Sequence, residues 1–404
     1  MNSPIGNRSE DRKTRPDPAR ADRAGGGLRI GPALAGCLVA TAAWLPISGL
    51  AQEDKSGGVL PYPQIMWTET YRSPYTTDAV IRERISSPSE PKRYSPTISI
   101  PAKTFNAYYE FFERNKGNVF SLRVLGATND DIERLSNLDS LIRLALPVCK
   151  ADNFRPLTKL KDLQELYVAN PNLEQFKNER LLAQMASLSD LTLYHVADLQ
   201  AALNLPDLEP RRSLQDPQAK GIFTLRVYAP SWNPRHRIQW PEKLKKLPNF
   251  CVLTDRIWFA YLQGQRAEII ISRSAQDDPA LATRLLKELI EKSGFYDGRK
   301  VDEVDLTSQF KRRGKPLHQP IVTHDKTDIS PLQAFPELKF LELRGDFYGF
   351  ENLRDAPLQW IYYVDRSPPP SDETVVVLSK HPTLQKVEKN IDSAKVEVIW
   401  ERKR

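Results

Sequence analysis

Val119-Phe120-Ser121-Leu122-Arg123-Val124, Leu141-Ile142-Arg143-Leu144-Ala145-Leu146 and Leu163-Gln164-Glu165-Leu166-Tyr167-Val168 share one pattern. Each is apolar at its first, fourth and sixth positions, and each starts 22 residues after the one before. A fourth copy, Leu188-Ser189-Asp190-Leu191-Thr192-Leu193, starts 25 residues further on. The fourth-to-sixth step has a period of two, which belongs to a strand, because alternate side chains of a strand share a face. Amphipathic helices also repeat leucine every three or four residues, but they do not supply that step or hold one phase from block to block.

Each copy is preceded by apolar residues three apart. Ile132, Leu135 and Leu138 lead to Leu141, and Phe154, Leu157 and Leu160 lead to Leu163. Leu182 and Met185 keep the spacing before Leu188, so the three extra residues of the fourth block fall in its connecting loop. Blocks of this size cannot bury a core alone. Stacked, their strands make a parallel sheet over a continuous core, with the return segments outside.

The L-x-x-L-x-L blocks resemble those of the leucine-rich repeat family, whose strand pattern continues to N or C at the ninth position and repeats every 20–29 residues. Cys149 occupies that position in the second block, while Ala127, Pro171 and Val196 stand there in the others. The resemblance implies an α/β solenoid, irregular here, with parallel strands on a concave face. It also implies recognition of a partner rather than catalysis.

Outward from this region the pattern weakens and returns. Ile222, Leu225 and Val227 form a fifth block, and Leu244, Leu247, Phe250 and Leu253 a sixth lead-in and strand. Ile269–Ile271 then reads as a strand. It is followed by a helix with Asp278 as its cap, Pro279 at its first position, Leu281, Leu285 and Leu289 as its apolar face and Gly294 at its end. Val301, Val304 and Leu306 follow as a strand, so this strand-helix-strand unit reads as an enlarged repeat or a small inserted α/β unit. The repeat then resumes with Leu338, Leu341 and Leu343, with Leu358, Ile361 and Tyr363, and with Leu384 and Val387. The expected divisions are 119–254 and 301–404 for the two parts of the solenoid and 255–300 for the insert. Residues 52–118 read as an irregular arm rich in proline and aromatics, ending in a capping helix that carries Phe105, Tyr108, Phe111 and Phe112 at helical spacing.

Residues 1–51 read as a secretory signal peptide or anchor. Seven Arg/Lys and four Asp/Glu precede an Ala- and Leu-rich stretch from Ile30 that ends in the small residues Gly49 and Ala51. Leu34-Ala35-Gly36-Cys37 looks like a bacterial lipobox, but most of the apolar stretch follows Cys37 instead of preceding it. The expectation is an exported protein, periplasmic or extracellular, with envelope anchoring through Cys37 or an uncleaved segment as the alternative. No integral membrane domain is expected after cleavage. Without those 51 residues the net charge falls from +7 to +4, since 7 − (7 − 4) = 4. That mild charge does not call for nucleic acid.

Phosphate-binding loops, dinucleotide fingerprints, zinc-protease helices, nucleophile elbows and C-x-x-C are absent from the sequence. His318, His324, Asp325 and Asp328 form the one local His/Asp cluster, in no recognised metal spacing. Some bacterial leucine-rich-repeat effectors carry a ubiquitin ligase with a cysteine nucleophile, and nothing here resembles it. Neither catalytic residue, metal nor cofactor is expected. Cys149 and Cys251 fall on rungs two and six, about 19 Å apart at about 4.8 Å per strand, too far for a disulfide. The candidate binding residues are those between the core positions, which line the concave face: Arg123, Arg143, Tyr167, Tyr194, Arg226, Tyr228, Trp360 and Tyr362. Tyr, Trp and Arg are the side chains most enriched at binding hot spots. A protein or glycan partner suits such a strip. The alternatives are a periplasmic or surface enzyme with its site in 255–300 and a lipid-anchored envelope protein.

Overall fold

One row of opposed residues crosses the entire sheet: Ser99, Arg123, Ala145, Tyr167, Thr192, Arg226, Cys251, Ala260, Glu268, Asp305, Glu342, Tyr362, Glu388 and Val398. Each lies on a different strand. The computed structural model describes residues 76–86, 97–210, 221–262, 265–274, 278, 280–311, 326–364, 367–368, 370–392 and 395–403. Residues 1–51, expected to be a signal or anchor, lie outside the described residues with Cys37, as do His318, His324 and Asp325.

The strands are β1 (Ile98–Pro101), β2 (Ser121–Leu125), β3 (Arg143–Leu146), β4 (Glu165–Ala169), β5 (Asp190–Tyr194), β6 (Thr224–Tyr228), β7 (Asn249–Leu253), β8 (Ile257–Leu262), β9 (Arg266–Ser274) and β10 (Glu303–Lys311). After β11 (Thr327–Asp328) come β12 (Phe340–Arg344), β13 (Phe347–Tyr348), β14 (Trp360–Tyr363), β15 (Lys386–Asp392) and β16 (Lys395–Glu401). Fourteen of them pair in chain order into one open sheet, and β11 and β13 form a separate two-stranded one. The architecture is the α/β solenoid with parallel strands that the repeats implied.

The repeat register is reproduced residue for residue. Leu122 faces Leu144, Leu144 faces Leu166, Leu166 faces Leu191, Leu191 faces Leu225, and Leu225 faces Phe250, all between parallel strands. These side chains are essentially without solvent exposure. The lead-in residues Ile132, Leu135, Leu138, Phe154, Leu157 and Leu160 join them in one continuous core between the sheet and the return segments. Near complete burial of a leucine contributes about 1.5–3 kcal/mol, and each rung supplies two or three.

The sequence reading missed elements in three places. The arm 52–118 already contains a helix, Asp78–Ser86, and the first sheet strand, β1, ahead of the capping helix Ala102–Arg114. Their buried Ile81, Ile85, Phe105 and Phe112 close the core at this end. β8 runs antiparallel between β7 and β9, so the insert begins with a hairpin inside the sheet and parallel pairing resumes only from β9 to β10. β8 (Ile257–Leu262) is apolar at nearly every position, which leaves no alternation to read. The third is the antiparallel β15–β16 pair at the far end.

The insert's helix is Leu281–Glu291, with Asp278 Oδ1 accepting the Ala280 N–H at 3.0 Å, while Pro279 lies outside the described residues. The first four rung ends and one beyond the insert carry a left-handed residue two positions after the last core residue: Gly126, Val148, Asn170, His195 and Gly345. That conformation turns the chain off the sheet into its return segment.

Among the described residues no helix is long and apolar enough to cross a membrane.

Candidate concave-face binding site

The face away from the core is built by the residues between the core positions, as the period of two requires. On its N-terminal half the tyrosines come together. Tyr167 of β4 stacks near Tyr194 of β5 with ring centroids 5.6 Å apart, and Tyr194 lies 4.4 Å from Tyr228 of β6. His195 sits edge-on to both Tyr194 and Tyr228. Ala145, Tyr167 and Ala169, with Tyr194 against them, form a small apolar cluster separate from the main core. The small alanines beside Tyr167 leave room for its ring to lie along the sheet. The Tyr228 hydroxyl donates to Asp255 Oδ1 at 2.8 Å, which ties the strip to the start of the insert.

The predicted positive flank is present. Arg226 lies in the same row as Tyr167, one strand beyond Thr192, with Asp190 4.0 Å away. Arg123 donates to Ser99 Oγ at 3.2 Å. Arg123, Arg143, Tyr167 and Tyr228 are buried, whereas Tyr194, Arg226, Trp360 and Tyr362 are half-buried. Outward-facing strand residues are thus far less exposed than their alternation suggests.

Trp360 and Tyr362 do not join the tyrosine strip, from which five strands of the sheet separate them. They lie on β14, with Trp360 edge-on to Phe340 at 6.4 Å and to Tyr362 at the same separation.

Between these two aromatic groups lies a charged cluster that the sequence reading did not pick out as a site. Arg266 and Glu268 come from β9, Glu303 and Asp305 from β10, and Glu342 and Arg344 from β12. Arg266 reaches Glu303 at 2.8 Å, Asp305 at 3.3 Å and Glu268 at 3.7 Å. Glu268 is only 4% exposed, and among the described residues its Oε2 has no hydrogen-bond donor. Burial, reinforced by Asp305, pushes the Glu268 carboxyl up to about 8, and burial with Asp305 does the same to Glu342, also to about 8. Asp305 and Glu303 are raised as well, again first by burial. Burial opposes the charge of Arg266, yet Glu303, Glu268, Asp305 and Glu342 together raise its pKa.

Among the described residues no group of His, Cys, Asp and Glu is placed to hold a metal ion. Cys149 and Cys251 are both buried and unpaired. Cys251 lies opposite Arg226 and Ala260, and burial pushes its thiol up to about 12, which disfavours the thiolate a nucleophile needs. His381 is buried in the last repeat, with Nε2 3.0 Å from the Leu353 carbonyl.

No family model and no curated protein matches the chain. Solved structures similar to it include two proteins of Listeria monocytogenes strain 4b F2365. Internalin C2 is 13% identical with a TM-score of 0.21, over 69% of this chain and 84% of that one. Internalin F is 16% identical with a TM-score of 0.27, over 67% and 65% respectively.

Proposed function

We propose that the chain is an exported, non-enzymatic recognition scaffold that binds a protein partner through the helix-free face of its sheet. The observation that carries this reading is the stacked strip of Tyr167, Tyr194 and Tyr228. These rings sit on a rigid sheet and have few rotamers to lose, so they contribute at low entropic cost, with the half-buried Tyr194 presented between the buried Tyr167 and Tyr228. Arg226 beside them adds a planar cation suited to carboxylates or backbone carbonyls. A glycan would use the same rings. Double-stranded nucleic acid would need a dense basic stripe instead.

The test begins with capture of the partner from the native envelope fraction on the full chain. Affinity is then compared for wild type and the Tyr194→Ala, Tyr228→Ala double variant. The expected loss is on the order of a hundredfold, as for hot-spot truncation, with circular dichroism unchanged. Unchanged affinity moves the site to the return segments or the insert. Mass spectrometry of the mature N-terminus tests export: the expected product begins after Ala51.

A further inference from the structure

The middle of the same face carries an arrangement that the tyrosine strip does not use. Glu268, Asp305 and Glu342 are directly opposed on three successive strands of the sheet, β9, β10 and β12. Adjacent strands lie about 4.8 Å apart, and like charges directly opposite each other are destabilising. Glu303 adds a fourth carboxylate two residues before Asp305 on its strand. Against these four stand two guanidiniums, Arg266 and Arg344, which leaves the cluster two negative charges in excess when all its groups are ionised. The charged partners of Glu268 and Glu342 come from these three strands, Asp302 just before β10 acts on Glu303, Cys251 and Tyr296 feel Glu268, and neighbouring β8 offers Ala260 in this row.

Two further observations indicate what the cluster takes. Glu268 Oε2 is a buried acceptor with no donor among the described residues. A buried polar atom of this kind is destabilising unless something satisfies it. Next to the carboxylates the same rows turn aromatic: Glu303 is followed across the sheet by Phe340 and Trp360, and Glu342 by Tyr362. Trp360 is half-buried and Phe340 is exposed at the edge of the cluster. Carboxylates beside aromatic faces favour an organic cation, which gains an ion pair and a cation–π contact together.

We propose that Glu268, Asp305 and Glu342, flanked by Phe340, Trp360 and Tyr362, form a receptor for one cationic side chain of the partner, a guanidinium or ammonium group. This rests on the reading of the face as the partner-binding surface. The guest supplies the donor that Glu268 Oε2 lacks and offsets the excess negative charge. Because burial holds Glu268 and Glu342 near 8, binding at neutral pH displaces protons from them.

The probe is a short capped Gly/Ser peptide with one central arginine, titrated calorimetrically into the full chain. The same peptide with citrulline, the neutral isostere, is the control. The arginine peptide is expected to bind and the citrulline peptide not. Its affinity should rise at least about tenfold between about pH 6 and about pH 9, as the carboxyls ionise. At neutral pH the heat should depend on the buffer in the sense of proton release. Glu268→Gln and Glu342→Gln should each weaken binding about tenfold or more, whereas Glu397→Gln on exposed β16 should leave it unchanged. Should Glu268→Gln fail to fold, Glu342→Gln and the wild-type pH profile decide. Equal binding of the citrulline peptide, a flat pH profile, or no binding at pH 9 overturns the proposal. Binding of calcium in place of the peptide overturns it as well and makes this a metal site. A wild type that ignores the arginine peptide, while the tyrosine double variant still loses its partner, removes the cation site alone. The converse result removes the tyrosine reading alone.

Discussion

The Cys149 thiol donates to the carbonyl of Ala127, 3.6 Å away and one repeat earlier in the chain. Both residues occupy the ninth position of their blocks, so the thiol bridges two successive turns of the solenoid at the place where the sequence pattern calls for a polar residue. Cys251 sits four strands further along the sheet order, with β4, β5 and β6 in between. Neither thiol is expected to react with a disulfide reagent in the native protein, and both should react on unfolding in denaturant. Burial raises the pKa of each, that of Cys251 to about 12. A Cys149–Cys251 bridge on a non-reducing peptide map would contradict the strand order.

Arg299 stands between two aromatic rings, its guanidinium carbon 4.7 Å from the Trp240 centroid and 4.4 Å from that of Tyr261. It also donates to the Leu244 carbonyl at 3.4 Å. Trp240 in turn donates to the Gly294 carbonyl at 2.8 Å, so this sandwich fastens the insert to the segment before β7. Arg299→Ala removes two cation–π contacts and buried stem packing, with an expected cost of about 2–4 kcal/mol in urea unfolding. Arg299→Lys keeps the charge but loses the planar stacking and should recover less than half of that. A cost below about 0.5 kcal/mol in both variants would show that the insert is held elsewhere.

The parts of the fold legible in the sequence were those carried by the period of two inside a conserved phase. Leu144, Leu166 and Leu191 announce their own register because each rung repeats the same environment. Ile257 to Leu262 give no such signal, since all six residues are apolar and leave no alternation, and direction cannot be read from composition. The tyrosine strip was legible because face follows from parity within each rung. The charged cluster was not: Glu268, Asp305 and Glu342 are 37 residues apart at each step, and only the parallel β9–β10–β12 pairing, across the Leu281–Glu291 helix and the connection that holds β11, opposes them. Their burial was hidden too, because outward-facing strand positions read as solvent-exposed.

The carboxyl cluster makes stability depend on pH in a definite sense. Glu268 and Glu342 are raised to about 8 in the folded chain against an ordinary carboxyl value of about 4.3 in the unfolded one. The folded state therefore holds more protons between these limits. The stabilising contribution is full below about pH 4 and is lost as pH rises through about 8. Groups that titrate in the acid range act in the opposite direction, so the comparison is made between about pH 6 and about pH 9. The unfolding midpoint should fall over this window, by more than about 1 kcal/mol in stability. Glu268→Gln should flatten the fall and exceed wild type at pH 9. A midpoint that rises from pH 6 to pH 9, or an identical slope in the variant, would show that these carboxyls are ionised in the folded protein.

Val148 occupies the left-handed turn at the end of its rung, with φ at +54°, where Gly126 and Asn170 stand in the neighbouring rungs. A β-branched residue is strained there, because its Cβ crowds the following carbonyl, at a cost of about 1–2 kcal/mol. Glycine avoids that contact, and asparagine tolerates the conformation better than other residues with side chains. Val148 is 65% exposed, so its side chain contributes little to the core. Val148→Asn is therefore expected to stabilise the protein by about 0.5–1 kcal/mol, read as a higher urea midpoint at unchanged slope. Val148→Gly should gain less, since part of the relief is offset by the greater backbone entropy of glycine in the unfolded chain. Leu146→Ala, two residues away and fully buried, should instead cost about 2–5 kcal/mol. If Val148→Asn destabilises while Leu146→Ala behaves as stated, the rung is real but its turn is not the left-handed one, and the rung-end series running from Gly126 to Gly345 loses its second member.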